Sequence, residues 1–335
     1  MNCLFIVNIL LSARTAKFWR KNRLLIIEQF DSPEVFYPES ASDIPASDLE
    51  NFEVIVLIGD SIFFNRIVNN LYPALTENLG QNILAFISDS SRSALTDGLG
   101  LPRRVQKSIA LIKKKQSIPM DLIRCHYIDH HGFPSNQLVL NDVLVGLPLL
   151  KIPLVLESLL NWTKSAPILP FRKKKKTISL IHKGKLLYQG EYFFGILLLG
   201  RRITRGPKIG HRMRINLTGF DYIQLNSRTL KGITTALPDL LSGKLESQKP
   251  DLLYKKLNEL EINGVGKDNK LIADGTHIGR LPASFTFLPK AVRVISPLIT
   301  AKIKKPWKKK LATAEIPKPA GSRKIVDFPR HTNNE

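Results

Sequence analysis

The stretch VIVLIGDSIFFNRIVNNL, residues 54–71, decides how the fold is read. Val54 to Ile58 is a short apolar run rich in β-branched residues, the pattern of a strand buried on both faces. Gly59-Asp60-Ser61 then makes a tight turn, and the apolar spacing switches to that of an amphipathic helix. Strand, turn and helix in this order are where α/β proteins place a phosphate-binding loop, because main-chain N–H groups converge at the helix start. The turn holds one glycine, Gly59, where a phosphate cradle uses several to bring N–H groups close without a Cβ in the way. Asp60 is equally the residue type that caps a helix N-terminus, which any α/β protein can use.

Similar runs flank this stretch. Residues 3–8 (CLFIVN) and 83–87 (ILAFI) read as buried strands, Ala13 to Asn22 as a helix, and LLIIEQF (24–30) as a further strand. A polar loop, SDSSRSALTDG (88–98), follows, and Pro102 is placed to open a helix through VQKSIALIKKK. This alternation predicts an α/β N-terminal half with a doubly wound, mostly parallel sheet. From about Lys173 the pattern changes. TISLIHKGKLLYQ, EYFFGILLLG, FDYIQLN, KLIADGTHIG, SFTFLP and VRVISP alternate with turn residues. They predict an antiparallel β-rich C-terminal half, interrupted by a helix around Thr229 to Leu241. Leu144 to Leu160, apolar but broken by Pro148 and Pro153, reads as a buried crossing element, and the lysine- and proline-rich end from Lys305 as a mobile tail.

Charge is the most unusual bulk property. Fifty Lys and Arg against 28 Asp and Glu leave +22, concentrated in Arg172 to Lys176 and in KIKKPWKKK, residues 302–310. Such a surface attracts polyanions, whether nucleic acid or an anionic membrane leaflet, and solvated lysines of a basic proteome are the plain alternative. The strands lack the interleaved aromatic and basic residues of single-strand readers, which disfavours nucleic acid and favours the membrane surface. Trp307 is an interfacial residue type. No apolar run reaches the roughly 18 residues needed to span a bilayer. MNCLFIVNILLSAR lacks the basic start of an export signal and reads as a first strand. Two cysteines, Cys3 and Cys125, fit a reducing cytoplasm, where the Asn161 and Asn216 sequons carry no sugar. CHYIDHHG, residues 125–132, offers Cys125, His126, His130 and His131 as zinc ligands, but without a finger's spacing. Its Asp129-His130-His131 also matches a two-metal phosphoesterase signature, but without the earlier Asp-x-Asp. A strand edge and a turn is the reading kept.

In order and separation, the motifs resemble the catalytic domain of diacylglycerol kinases, the lipid kinases that include sphingosine kinases and are related to NAD kinases. The resemblance runs from residue 3 to about 297. Ile6-Val7-Asn8-Ile9 stands for the family's Val-Asn-Pro, and Ile58-Gly59-Asp60-Ser61-Ile62 for its Gly-Gly-Asp-Gly-Thr. Ile67-Val68-Asn69-Asn70-Leu71 stands for Val-Val-Asn-Gly-Leu, with one residue inserted between the two motifs. Gly100-Leu101-Pro102, Asp121, Asp274-Gly275-Thr276, Leu281-Pro282 and Pro289-Lys290-Ala291-Val292 follow in the family's order.

The resemblance implies an α/β nucleotide-binding-like domain over residues 1–130 and a β-rich lipid-kinase domain over 131–300. The last strand can return to the first domain, and residues 301–335 form a basic flexible tail. It further implies ATP and Mg²⁺ as cofactors of a lipid-hydroxyl kinase, a lipid as substrate or ligand, and a cytoplasmic protein peripheral at anionic membrane. Asp60 would be the catalytic base. Asn8, Gly59, Asp60, Ser61, Ser90, Ser91, Arg92, Asp274 and Gly275 would line the nucleotide site, with no residues assigned to a metal. Several family positions are replaced. Ile58 and Ser61 stand for two of the loop glycines, Ser90, Ser91, Ser93 and Ala94 for the second loop's Gly, Thr, Asn and Asp, and Thr276 for a glutamate. Arg205-Gly206-Pro207-Lys208-Ile209-Gly210 replaces a Gly-Gly-Gly stretch, and Thr218-Gly219 an Asp-Gly. Lost carboxylates remove ligands for Mg²⁺ and candidates for the base. Serine hydroxyls and Arg92 could still hold phosphate. Two readings stay open: an enzyme with weakened or lost phosphotransfer, and a non-catalytic lipid- or nucleotide-binding protein.

Overall fold

The computed structural model describes residues 1–40, 43–44, 46–77, 82–89, 93–146, 176–200, 202–204, 209, 218–226, 251–264 and 269–298. The N-terminal part runs β1 (Cys3–Val7), α1 (Ala13–Ile27), β2 (Pro33–Phe36), β3 (Val54–Gly59), α2 (Ser61–Glu77), β4 (Ile83–Ser88), α3 (Ala94–Gly98) and α4 (Val105–Lys113). Its strands are parallel in the order β2-β1-β3-β4, with Cys3 opposite both Pro33 and Val54, and Val54 opposite Ile83. β1, β3 and β4 are covered on both faces, which is why CLFIV, VIVLI and ILAFI are apolar at every position. Cys3, Phe5, Val54, Val56 and Ile58 pack under α1 and α4, against Trp19, Ile26, Val105 and Ile109. Leu4, Ile6, Ile55 and Leu57 face α2, against Phe63, Phe64, Ile67 and Leu71.

The structure corrects the sequence reading at two points here. LLIIEQF is not a strand, because Leu24 to Ile27 complete α1. Ser12 Oγ accepts from Thr15 N at 3.2 Å to cap that helix. Trp19 and Ile26, seven residues apart, then lie on its buried side. The strand role passes to Pro33–Phe36, a short edge strand whose proline and glutamate hide it. Pro102 does not open α4: Arg104 holds the cap position, and the Pro102 carbonyl instead accepts from Ser108 Oγ at 3.1 Å.

The remaining strands are β5 (Ser117–Ile128), β6 (Pro134–Val139), β7 (Asp142–Val145), β8 (Lys176–His182), β9 (Lys185–Tyr192), β10 (Phe194–Leu198), β11 (Phe220–Leu225), β12 (Leu252–Leu257), β13 (Glu259–Gly264), β14 (Lys270–Ala273) and β15 (Thr276–Ile295). Apart from one parallel contact, their pairings are antiparallel. LLYKKLNELEING, whose Lys, Glu and Leu favour helix, forms β12 and β13, where Leu260 and Ile262 alternate with exposed Glu259 and Glu261. Expectations for Leu147 to Leu160, Thr229 to Leu241 and the C-terminal tail fall outside the described residues.

One strand binds the two parts into one sheet. β15 is 20 residues long and pairs antiparallel with β14, β13 and β5, then parallel with β4 at Val294↔Leu84. The main path is β12-β11-β10-β7-β14-β15-β4-β3-β1-β2. Along β5 the register of β15 shifts at Arg280/Ala283 and again at Leu288/Val292, so each bulge bends the long strand as it crosses. At the second bulge Lys290 has φ +52 and donates its N–H to Asp121 Oδ1 at 2.8 Å. Beside the first, a Cβ on Gly279 would meet the Ile128 carbonyl oxygen at 2.1 Å, and main chain cannot swing aside. Gly279→Ala is expected to cost about 1–3 kcal/mol in urea unfolding, as overpacking does.

Candidate functional site

β1 leads into α1 on one face and β3 into α2 on the other, so the chain reverses direction across the sheet between these two strands. In doubly wound sheets that switch point opens a crevice at the C-terminal strand ends, where ligands bind. Asn8, Gly59, Asp60 and Ser61 all lie there. Asn8 N donates to the Ile58 carbonyl at 3.1 Å, and its buried Oδ1 has no partner among the described residues. Asp60 caps α2: Oδ1 accepts from Phe63 N at 2.9 Å, and its carbonyl accepts from Phe64 N at 3.0 Å. A Cβ on Gly59 would lie 2.7 Å from Phe63 Cδ1 and 3.3 Å from Asn8 Cβ, so this glycine is needed for packing. Ile58, which stands for one of the family's loop glycines, is fully buried under α1 and α4 and leaves the loop clear.

Asp89 closes the crevice from β4. Its N–H donates to the Gly59 carbonyl at 3.1 Å, Oδ1 accepts from Arg14 Nη2 at 2.9 Å, and Oδ2 from Thr15 Oγ1 at 2.7 Å. Ser61 Oγ lies 2.9 Å from Ser93 Oγ, linking the first loop to the start of α3. Ser90, Ser91 and Arg92 lie outside the described residues.

The structure places Asp274 in the interior, at 2% exposure, where β14 turns into β15. Asp274 has φ +45 and Gly275 φ +82. This left-handed turn lets one carboxylate gather four donors. Oδ2 accepts from Asn65 Nδ2 at 2.7 Å and Leu140 N at 2.7 Å; Oδ1 accepts from Asn141 N at 2.8 Å and Asp142 N at 3.0 Å. Asn65 and Asn69 extend this stitching along α2. Asn69 Nδ2 donates to the Leu138 carbonyl at 2.9 Å while its Oδ1 accepts from Leu138 N at 2.6 Å. Only an amide can both donate and accept in this way, which accounts for Asn69 within its motif. Asn65 donates to the same carbonyl at 2.9 Å.

Asp142, fully buried beside Asp274, was not anticipated from the sequence. Its Oδ1 accepts from Thr204 N at 2.9 Å, from Thr204 Oγ1 and from Asn141 Nδ2, while Oδ2 has no partner among the described residues. A second unanticipated link joins α3 to the chain after β10, with Asp97 Oδ2 3.3 Å from Arg202 Nε. Neither Asp-Val nor Asp-Gly in sequence distinguishes a buried carboxylate from a turn, so these links carried no signal. The CHYIDHH residues do not converge. Cys125 is buried in the β-half core, where burial pushes its thiol up, and His126 is exposed on the same strand. His130 and His131 lie on the β5–β6 turn, which Asp129 Oδ1 holds by accepting from His131 N and Phe133 N, both at 2.9 Å. His130 instead stands edge-on to His277, with ring centroids 4.4 Å apart.

Burial pushes Asp142 up to about 6, against the Thr204 and Asn141 hydrogen bonds. Burial first, and repulsion from Asp142 second, push Asp274 up to about 7 despite its backbone donors. Both carboxyls therefore bind protons more tightly folded than unfolded. Their contribution to stability is complete below the unfolded aspartate pKa and is lost as pH rises through the folded values. Denaturant unfolding of the wild type should show stability falling between about pH 4 and about pH 7. Asp142→Asn, which keeps an acceptor for Thr204 and removes the repulsion, should shrink that fall; an equally steep profile in the variant would contradict it.

What the crevice offers a nucleotide is chiefly main chain at the start of α2, with Asn8 and Asp60 beside it. Among the described residues no three Asp, Glu, His or Cys side chains come together to hold a metal ion. Comparison with known proteins follows the architecture. No family model and no curated sequence matches the chain. Among solved structures, one described as a "putative diacylglycerol kinase" from Bacillus anthracis str. Sterne superposes with a TM-score of 0.67 at 18% identity, over 88% of this chain and 96% of that one. A second structure from that organism, described in the same words, gives 0.66 at 16% identity, over 88% and 97%. A third, described as a diacylglycerol kinase, gives 0.62 at 16%, over 88% and 96%. The described residues have the diacylglycerol-kinase fold: a parallel α/β half and an antiparallel β half sharing one sheet.

Proposed function

We propose that this chain is a divergent lipid-kinase-fold protein that binds a phosphate-bearing ligand in the β1–β3 crevice, with phosphotransfer weakened or lost. The observation that carries the reading is the fate of its three retained carboxylates. Asp60 caps α2, Asp121 accepts from Lys290 N, and Asp274 accepts from Asn65, Leu140, Asn141 and Asp142. Each has a structural task that would keep it without catalysis. Phosphoryl transfer relies on positioned metal and charge, and the described residues supply little of either. The ligand's anionic end would meet the N–H groups at the start of α2, beside Asn8 and clear of Ile58. If transfer persists, Asp60 is the group placed to take a proton from a lipid hydroxyl, with ATP and Mg²⁺ as co-reactants.

Asp60 has two separable roles, and two substitutions separate them. Asparagine retains the cap but cannot act as base; alanine loses both. With radiolabelled ATP and diacylglycerol or other hydroxyl-bearing lipids, the wild type is expected at or near background, and Asp60→Asn the same. Asp60→Ala should lose about 1 kcal/mol of stability. Mg-ATP should raise the wild-type melting temperature if the crevice holds nucleotide. Turnover that vanishes in Asp60→Asn would establish an active kinase and overturn the weakened-catalysis reading.

The protein's place is taken to be the cytoplasmic side of an anionic membrane, on the strength of the +22 charge and the clusters at 172–176 and 302–310. No helix among the described residues is long and apolar enough to cross a membrane. Each Lys or Arg near anionic lipid contributes roughly 1 kcal/mol, so loss of the 302–310 cluster should be visible. Liposome co-sedimentation with anionic vesicles is expected to weaken at least tenfold when residues 302–335 are removed, and to weaken for the intact chain as salt rises. Unchanged binding after truncation would take the tail out of the membrane contact.

A further inference from the structure

Two helical layers of opposite electrical character cover the sheet of the N-terminal half. α2, on one face, carries one cation, Arg66, and one acid, Glu77. α1 and α4 pack side by side on the other face, their ends tied where Lys113 Nζ donates to Gln29 Oε1 at 3.1 Å. Residues 13–27 and 103–115, which form this second layer, hold five and six Lys or Arg respectively, and no Asp or Glu. Three of these cations have acidic partners outside the layer: Arg14 with Asp89 at 2.9 Å, Arg103 with Asp97 at 3.6 Å, and Lys115 with Glu53. Lys17, Arg20, Lys21 and Arg23 on α1 have no acidic partner among the described residues, and all four are exposed. The same holds for Arg104, Lys107, Lys113 and Lys114 along α4. Like charges three and four apart repel along a helix, so this arrangement costs stability. A basic composition alone would spread its lysines over both layers.

Exposed leucines accompany the charge. Leu10 is 55% exposed and Leu11 56%, in the turn before Ser12 caps α1, and Leu24 is 63% exposed in the helix's last turn. Leu24 follows Arg14, Lys17 and Lys21 at spacings of three, four and three, so all four lie on one stripe of the helix. Such leucines gain by leaving water, and a phosphate backbone offers them nothing. The aromatics of the layer, Phe18 and Trp19, are not exposed, so bases have no ring to stack on. We infer that the α1–α4 layer is the face that the protein lays on an anionic bilayer, with its cations on lipid headgroups and its leucines in the acyl boundary. The inference rests on the reading of the protein as peripheral at anionic membrane, and it names the folded surface that makes the contact. Lys and Arg stems lie along the interface while their charges stay among the headgroups, and the leucines at either end of α1 add the apolar part of the binding. The Leu10-Leu11 turn comes just after Asn8, so contact there holds the crevice mouth at the lipid surface.

Co-sedimentation of the full chain tests it, with vesicles of phosphatidylcholine mixed with phosphatidylserine and with vesicles of phosphatidylcholine alone. Wild type should bind the mixed vesicles and bind the neutral ones far less. Lys17→Gln, Lys21→Gln and Lys107→Gln together should lower the affinity for mixed vesicles about tenfold or more, since each cation near anionic lipid adds to binding. Leu10→Ser with Leu11→Ser, which leaves every charge in place, should lower it about fivefold or more. Circular dichroism of each variant separates lost contact from lost fold. A wild type indifferent to both kinds of vesicle would sink this proposal and the membrane reading together. A wild type that binds, with both variants binding as tightly, would sink this proposal alone and leave the contact to the tail. A leucine variant as tight as wild type beside a weakened lysine variant would also overturn it, because charge alone would then account for binding. Variants that lose a duplex oligonucleotide and keep the vesicles would assign the layer to nucleic acid instead.

Discussion

The carboxylate of Asp274 is the point on which the rest of the structure depends. Four strands and a helix meet there: the β14–β15 turn, the β6–β7 corner and the middle of α2. A buried acceptor with four donors satisfies main-chain N–H groups that would otherwise be stranded where β6 ends and β7 begins. The arrangement is costly as well as binding. No cation reaches the pair among the described residues, and Asp142 lies close enough for the two acids to oppose each other's ionisation. A neutral carboxylic acid would supply its own proton as a donor, and Asp142 Oδ2 still has room for one.

Much of the fold was legible because parallel strands buried on both faces leave an unambiguous trace. CLFIV, VIVLI and ILAFI are apolar at every position, and all three became central strands. The errors fell where local composition and tertiary position disagree. LLII has the residues of a strand, but it extends a helix already capped at Ser12, and helix continuation costs less than a new nucleus. PEVF and LLYKKLNELEING lack strand composition, yet each lies beside a strand that supplies the hydrogen bonds. Edge and half-exposed strands depend on their neighbours more than on their own residues.

The candidate site was legible in outline and not in its wiring. Gly59-Asp60 could be located because a strand-turn-helix junction is a local pattern. What the turn does with its aspartate depends on Phe63, three residues on, which also takes the space above Gly59. The effect of Ile58 could not be judged from sequence, since a one-residue change of strand register decides between loop and core. Asn65, the Asn141-Asp142 pair and Thr204 are far apart in the chain and of unremarkable type. Their role comes only from the crossing of α2 over β6 and the return of β14, which no local pattern encodes.

The single parallel contact of β15 with β4 has a consequence for how the chain is assembled. β1 through β4 and their helices lie within the first 88 residues and can pair as soon as they emerge, yet the outer edge of β4 waits for Val294. Until then the growing chain carries an open, apolar strand edge while the whole antiparallel half is still being made. Such long-range closure is slow, and an uncovered edge is a template for the wrong partner. The last of the described strands to be synthesised is thus also the cover for one of the first, and early termination anywhere before it would release an aggregation-prone fragment rather than a smaller folded one.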